Sequence, residues 1–170
     1  MSEIDALMEV LAEFDAAYPD SNGKIEDGMF RATVETPVVA EDGSWTRIPF
    51  KLLSGPNAGL HTSAFLKWFG ETDEQVKVRR SITKKTLKHV LSYDNGSADT
   101  ATLRAGFETL RASTTPEQSA EAIARVATAL EGTDVYVQVV TNKGGYQNTN
   151  VLSPDDKRIA SAEAMESITV

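Results

Sequence analysis

Lys77, Arg79, Arg80, Lys84, Lys85 and Lys88 place six of the chain's 17 basic residues within twelve positions. At 100° per residue, Lys77, Arg80, Lys84 and Lys88 share one helix face, since they lie three or four apart. A one-sided cationic row can track a phosphate backbone, because each neutralised phosphate releases a counterion. It can equally be a solvated face that keeps a helix in water. A second group lies on a strand pattern, where Trp45, Arg47 and Lys51 alternate with a core-facing set, Thr46, Ile48, Phe50 and Leu52. An aromatic beside two cations suits stacking and phosphate contact to a single strand, provided no helix covers that face. Tyr146, near Lys143, is a further aromatic candidate.

No other chemistry competes with these groups. The chain lacks the phosphate-loop, serine-hydrolase, HExxH and dinucleotide-binding motifs. It has no cysteine and two histidines, His61 and His89, which excludes thiol catalysis and cysteine-ligated zinc. Neither histidine has a relay partner nearby in sequence. The glycine-rich run Gly55-Pro56-Asn57-Ala58-Gly59 lacks the Lys-Ser/Thr of a nucleotide loop and reads as a tight turn. Asp73-Glu74 and Asp155-Asp156 each lie near an expected helix start, where acids complement the dipole. The expectation is a non-enzymatic protein with no metal and no cofactor.

Charge patterning gives these residues a context. The net charge is −8, which argues against a simple nucleic-acid binder, whose domains are usually basic. The distribution is uneven. Residues 1–28 carry eight acids and one base, residues 43–91 carry nine bases and three acids, and residues 92–134 carry seven acids and three bases. The protein is acidic with a basic middle.

The elements that must position these groups follow from periodicity. Ile4, Leu7, Val10, Leu11, Phe14 and Tyr18 form one apolar stripe, so residues 4–18 are expected to be helical, ending at Pro19. That helix packs on its own domain or docks on a partner. Residues 29–40 read as a strand, with Pro37 marking an edge or a bend. Glu41-Asp42-Gly43-Ser44 is a hairpin turn leading to a second strand over 45–53. Leu60–Phe69 fits strand or helix, and Trp68 within it suits a core. Helices are expected over 73–92, with Val76, Val78, Ile82, Leu87, Val90 and Leu91 apolar, and over 100–112, capped by Asp99. A third starts at Thr115-Pro116-Glu117-Gln118 and ends at Gly132. Residues 134–140 and 146–152 form a closing hairpin around Asn142-Lys143-Gly144-Gly145. Residues 153–170 are a short helix or a tail.

The expected fold class is therefore α+β: a small antiparallel β-barrel of OB-like order, with an N-terminal helix and a helical insertion between the strand hairpins. It forms a single domain over 1–152, with the insertion at about 73–131 and a C-terminal tail at 153–170. At 170 residues a core can form without disulfides. No apolar run is long enough to span a membrane. The acidic start Met1-Ser2-Glu3-Ile4-Asp5 lacks the basic region of a signal peptide, so a cytoplasmic setting is expected.

Asp27-Gly28-Met29-Phe30-Arg31-Ala32 opening the first strand, and Ile48-Pro49-Phe50-Lys51-Leu52-Leu53-Ser54-Gly55-Pro56-Asn57-Ala58-Gly59 after the second, carry a resemblance. Together with the opening acidic helix and the Asn-bearing hairpin Val135–Val151, they are similar to a family of small bacteriophage proteins of replication and recombination. That family comprises OB-fold-like single-stranded-DNA-binding proteins. The resemblance implies a phage protein that coats single-stranded DNA in the cytoplasm of a bacterial host. Phage replication or recombination proteins are its implied partners, and homo-oligomerisation is left open. Candidate nucleic-acid-binding residues are Trp45, Arg47, Lys51, Lys77, Arg80, Lys84, Lys85, Lys88 and Tyr146. The alternative is a protein-binding adaptor or inhibitor that acts through its acidic N-terminal helix.

Overall fold

The computed structural model describes residues 25–94 and 96–159. The helix expected over 4–18 and the end of the chain beyond Ile159 lie outside the described residues. The strands are β1 (Gly28–Val34), β2 (Val38–Val39), β3 (Thr46–Leu52), β4 (His61–Leu66), β5 (Asp134–Thr141) and β6 (Gln147–Val151). Three helices stand between β4 and β5: α1 (Asp73–Ser92), α2 (Thr100–Ala112) and α3 (Pro116–Ala129). The molecule is mixed α+β, with an antiparallel sheet curled into a half-barrel and the helices inserted between its hairpins.

Interruption of the first strand explains much of the topology. β1 and β2 both pair with the same edge of β3, through Val34↔Phe50 and Val38↔Arg47. The break between them contains Pro37, which cannot donate to a ladder. β4 takes the other edge of β3, β5 pairs with β1, and β6 pairs with β5. The curl brings β4 and β6 near each other, where the hydroxyls of Thr62 and Thr149 hydrogen-bond in a buried seam.

One face of this sheet is the core. Thr46, Ile48, Phe50 and Leu52 are all at most 1% exposed, as their alternation predicts. They meet Phe30, Ala32 and Val34 of β1, Val135, Val137 and Val139 of β5, and Ala64 and Leu66 of β4. Burying each large apolar side chain contributes on the order of 1.5–3 kcal/mol. The ambiguous stretch 60–69 holds a strand over His61–Leu66, and Trp68, just beyond it, is core at 8% exposed. The strand's parity is set by pairing with β3 rather than by anything local.

Helix starts are set by local chemistry. Thr72 accepts from the Gln75 amide at 3.1 Å, and Thr115 accepts from the Gln118 amide at 3.3 Å. In both, the glutamine reaches back one residue beyond the cap. Gln75 Oε1 accepts from the Glu71 amide and Gln118 Oε1 from the Thr114 amide, each at 2.9 Å. The box expected at Thr115 therefore closes on Thr114. Asp99 caps α2 by accepting from the Ala101 amide.

α3 lies against β2 and β3, where Thr46 Oγ1 donates to the Ala120 carbonyl at 2.8 Å. Gly43 allows this approach. Its φ is +73°, and a Cβ there would stand 2.5 Å from the Glu117 backbone. α1 joins the two ends of the sheet. Thr83 Oγ1 donates to the Lys67 carbonyl beyond β4, while His89 Nδ1 lies 2.8 Å from the Val151 carbonyl of β6. Tyr93 adds a 2.7 Å bond to the Leu152 carbonyl.

The apolar pattern of α1 requires a correction. Leu87 and Val90 are buried, with Thr83, but Val78 and Ile82 are each 52% exposed. The helix leans on the sheet along Thr83, Leu87 and Val90, so residues five positions before Thr83 or one before it point away.

Candidate nucleic-acid interface

Trp45 stands one residue before β3 and leads onto its outward face. Val38, Arg47 and Phe65 are in register across β2, β3 and β4. Because the side chains of paired residues lie on one face, these three form a row across the sheet. Phe65 is 56% exposed and Val38 is 43% exposed. Trp45, half-buried, meets Phe65 edge to face with ring centroids 5.4 Å apart and an 80° interplanar angle. Arg47 is half-buried between them. Its Nε is shut off from water and has no hydrogen-bond partner. A buried donor left unpaired costs about 1–3 kcal/mol, so this arginine is held by packing at a price in stability.

Phe65 is the residue that sequence reasoning missed. The available signal was the alternation His61-Thr62-Ser63-Ala64-Phe65-Leu66, in which Phe65 takes the parity of the outward His61 and Ser63. It is usable only once the segment is known to be a strand paired with β3.

The other candidates fall into three positions. Lys51 is exposed, further along β3, opposite His61. His61 Nε2 lies 3.6 Å from Glu35 Oε1, a pair that is ionic when the imidazole is protonated. Lys77, Lys84, Lys85 and Lys88 are all exposed on α1. Arg80 differs from them. Its guanidinium carbon stands 4.9 Å from the Trp68 ring centre and 5.1 Å from that of Phe69. Its Nε donates to the Trp68 carbonyl at 3.2 Å, and Arg79 donates to the Phe69 carbonyl at 2.8 Å. These two arginines fasten α1 to the end of β4, and the expected four-residue row is three lysines beside a structural arginine. Tyr146, 74% exposed, stands at the tip of the β5–β6 hairpin. That tip extends past the Gly28 end of β1, whereas Trp45 immediately precedes β3 at its opposite end, with its carbonyl accepting from the Ala40 amide. The structure thus brings Trp45, Arg47 and Phe65 together and leaves Tyr146 at the other end of the sheet.

Among the described residues no group of three or more His, Asp or Glu side chains converges on a metal position. An open cleft of about 520 Å³ runs along Tyr93, Asp94, Ser97, Glu131 and Asp134. Its carboxylates are engaged: Asp94 accepts from Ser97, Glu131 from Thr36 and Asp134 from Thr33. The Ser97 hydroxyl holds the Asp94 carboxyl below its ordinary pKa. No described helix is long and apolar enough to cross a membrane. No protein-family model matches the chain, and no curated protein matches it either.

Proposed function

We propose that the chain binds single-stranded DNA, without enzymatic activity, across the outward face of β3 and β4 and the exposed lysines of α1. The observation that carries this reading is the row Arg47–Phe65 with Trp45 beside it. Two partly exposed aromatic rings offer surfaces on which bases stack, worth roughly 1–3 kcal/mol per base. A guanidinium is more weakly hydrated than an ammonium, so the rest of the Arg47 head group gives up water to an anion at less cost than a lysine does. Lys67 and Lys51, both exposed, extend the positive charge along the same two strands.

The connectivity supports the same reading. With β1 and β2 counted as one broken strand, the order around the half-barrel is β4, β3, β1, β5, β6, with β4 and β6 approaching at Thr62 and Thr149. Helices intervene between the third and fourth of the five strand runs. We read this as an OB-like barrel, a fold whose second and third strands carry oligonucleotide sites. Those strands here are β3 and β4. A role in coating phage DNA during replication or recombination rests on the resemblance of residues 27–32 and 48–59.

Titration of a labelled dT oligonucleotide by fluorescence anisotropy at two salt concentrations, with a duplex control, tests the proposal. The expected result is strand-selective binding that weakens as salt rises, with a slope of roughly −0.7 per phosphate contacted. Absence of binding at low salt would end this reading and favour a protein-docking role.

A further inference from the structure

Val78 and Ile82 lie about one turn apart on the outward side of α1, each 52% exposed, and Lys85 continues their stripe at i+7. Lys77 and Lys84, both exposed, border it on one side. α1 carries six bases against two acids, and both acids, Asp73 and Glu74, stand in the first turn. The open cleft at the other end of this helix has the complementary character. Among the described residues its lining holds three carboxylates, Asp94, Glu131 and Asp134, and no base. Neutral hydroxyls of Ser97, Thr36 and Thr33 hold these carboxylates in place and leave their charge intact. Tyr93, Ala98 and Ala129 give the same cleft an apolar wall. We infer that the basic, apolar ridge of α1 docks in the acidic cleft of a second copy of this chain, with Val78 and Ile82 against the apolar wall and Lys77, Lys84 and Lys85 facing the carboxylates.

Geometry excludes the same contact within one chain. Tyr93 caps the C-terminal end of α1 and lines the cleft. Val78 therefore lies fifteen residues, about 22 Å, back along a continuous helix, and Ile82 about 16 Å back. A rigid helix cannot fold its own middle onto its end. Ridge and cleft are two different patches at a fixed separation, so the contact between copies is heterologous. Each subunit offers its ridge to one neighbour and its cleft to another, and association continues head to tail as a ring or an open chain. Opposite charges meet across the contact at a surface open to water, so added salt screens them and weakens it. Self-association of this kind needs no DNA, so its test is separate from that of the nucleic-acid reading.

Sedimentation velocity of the full chain, from micromolar to millimolar concentration and at low and high salt, reads the association. The average mass is expected to rise past that of a dimer at low salt and to fall back toward the monomer at high salt. Two variants each disable one patch. Val78→Ser/Ile82→Ser changes only exposed side chains. Glu131→Gln/Asp134→Asn removes two charges and keeps acceptors for the Thr36 and Thr33 hydroxyls. Each variant alone is expected to be monomeric. Their equimolar mixture is expected to form a dimer and nothing larger, because one variant retains the cleft and the other the ridge. A wild-type chain that stays monomeric at every concentration would overturn the inference, whatever the variants do. So would growth that stops at a dimer, association that survives either double substitution, or a mixture that stays monomeric.

Discussion

Arg47 and Phe65 are register partners on neighbouring strands, and both turn away from the core. Their pairing places a cation and an exposed ring side by side with no backbone contortion, using only the pleat of an antiparallel ladder. Trp45, one residue outside β3, closes the group by meeting Phe65 edge-on. The stacking surface we assign to the sheet is centred on this one pairing.

Replacing Trp45 or Phe65 by Ala is expected to weaken oligo(dT) binding by roughly tenfold each, the lower range of one lost base stack. Both side chains are partly exposed, so the folded state persists. Anisotropy titration paired with thermal melts of each variant checks this. Unchanged affinity in both would remove the β3–β4 face from the site.

Arg47→Met is expected to separate stability from binding. The methionine keeps the packing length and removes the unmade hydrogen bond at Nε, so the urea midpoint rises, by about 1 kcal/mol in stability. Oligonucleotide affinity falls and its salt slope loses roughly 0.7, the value of one phosphate on a single strand. A drop in stability would show that the guanidinium is satisfied in solution.

Charge reversal on α1 should distinguish its cations. Lys77→Glu/Lys84→Glu/Lys88→Glu is expected to leave the fold intact and to weaken oligo(dT) binding with a shallower salt slope. Arg80→Glu is expected to lower thermal stability, because it breaks the Trp68 stack and the bond to the Trp68 carbonyl. Equal melting temperatures for the two variants would contradict the structural role given to Arg80.

The Thr62–Thr149 seam should behave non-additively. Thr62→Val strands a buried hydroxyl on Thr149 and costs about 1–3 kcal/mol, whereas changing both to Val removes donor and acceptor together and recovers much of the loss. A double-mutant cycle by urea denaturation measures the coupling, and additive losses would show that the two hydroxyls do not meet.

Acid should weaken the end of the described chain in a defined window. The Arg158 guanidinium and backbone amide hydrogen-bond Asp156 and hold its carboxyl at about 2, against an ordinary 3.8. A depressed folded value means that the contribution is present above the unfolded pKa and is lost as pH falls from about 4 toward 2. Asp156→Asn should therefore flatten this part of the acid-stability profile. An unchanged profile would show that Asp156 titrates alike in both states.

Most element identities were legible in the sequence because they depend on neighbours a few residues away; Leu60–Phe69, which fits strand or helix by pattern, became a strand only through its pairing with β3. The alternation of Thr46 to Leu52, the caps at Asp99 and Thr115, and the turn at Gly43 are local devices, and each is where the pattern puts it. α1 spans Asp73–Ser92, matching the expected 73–92. Which side of α1 faces the sheet was not legible, because Val78 and Ile82 are as apolar as Leu87 and Val90. Only the contacts of Thr83 with Lys67 and His89 with Val151 decide the rotation. The roles of the cations divide in the same way. Arg80 shares a helical face with Lys84, yet the placement of Trp68 and Phe69 beneath it turns a candidate phosphate ligand into a fastening. Phe65 and Arg47 are eighteen positions apart, and Tyr146 lies at the far end of the sheet despite its sequence credentials. Spacing along a chain determines what most elements are, whereas strand register and helix docking are long-range pairings that determine which side chains share a surface.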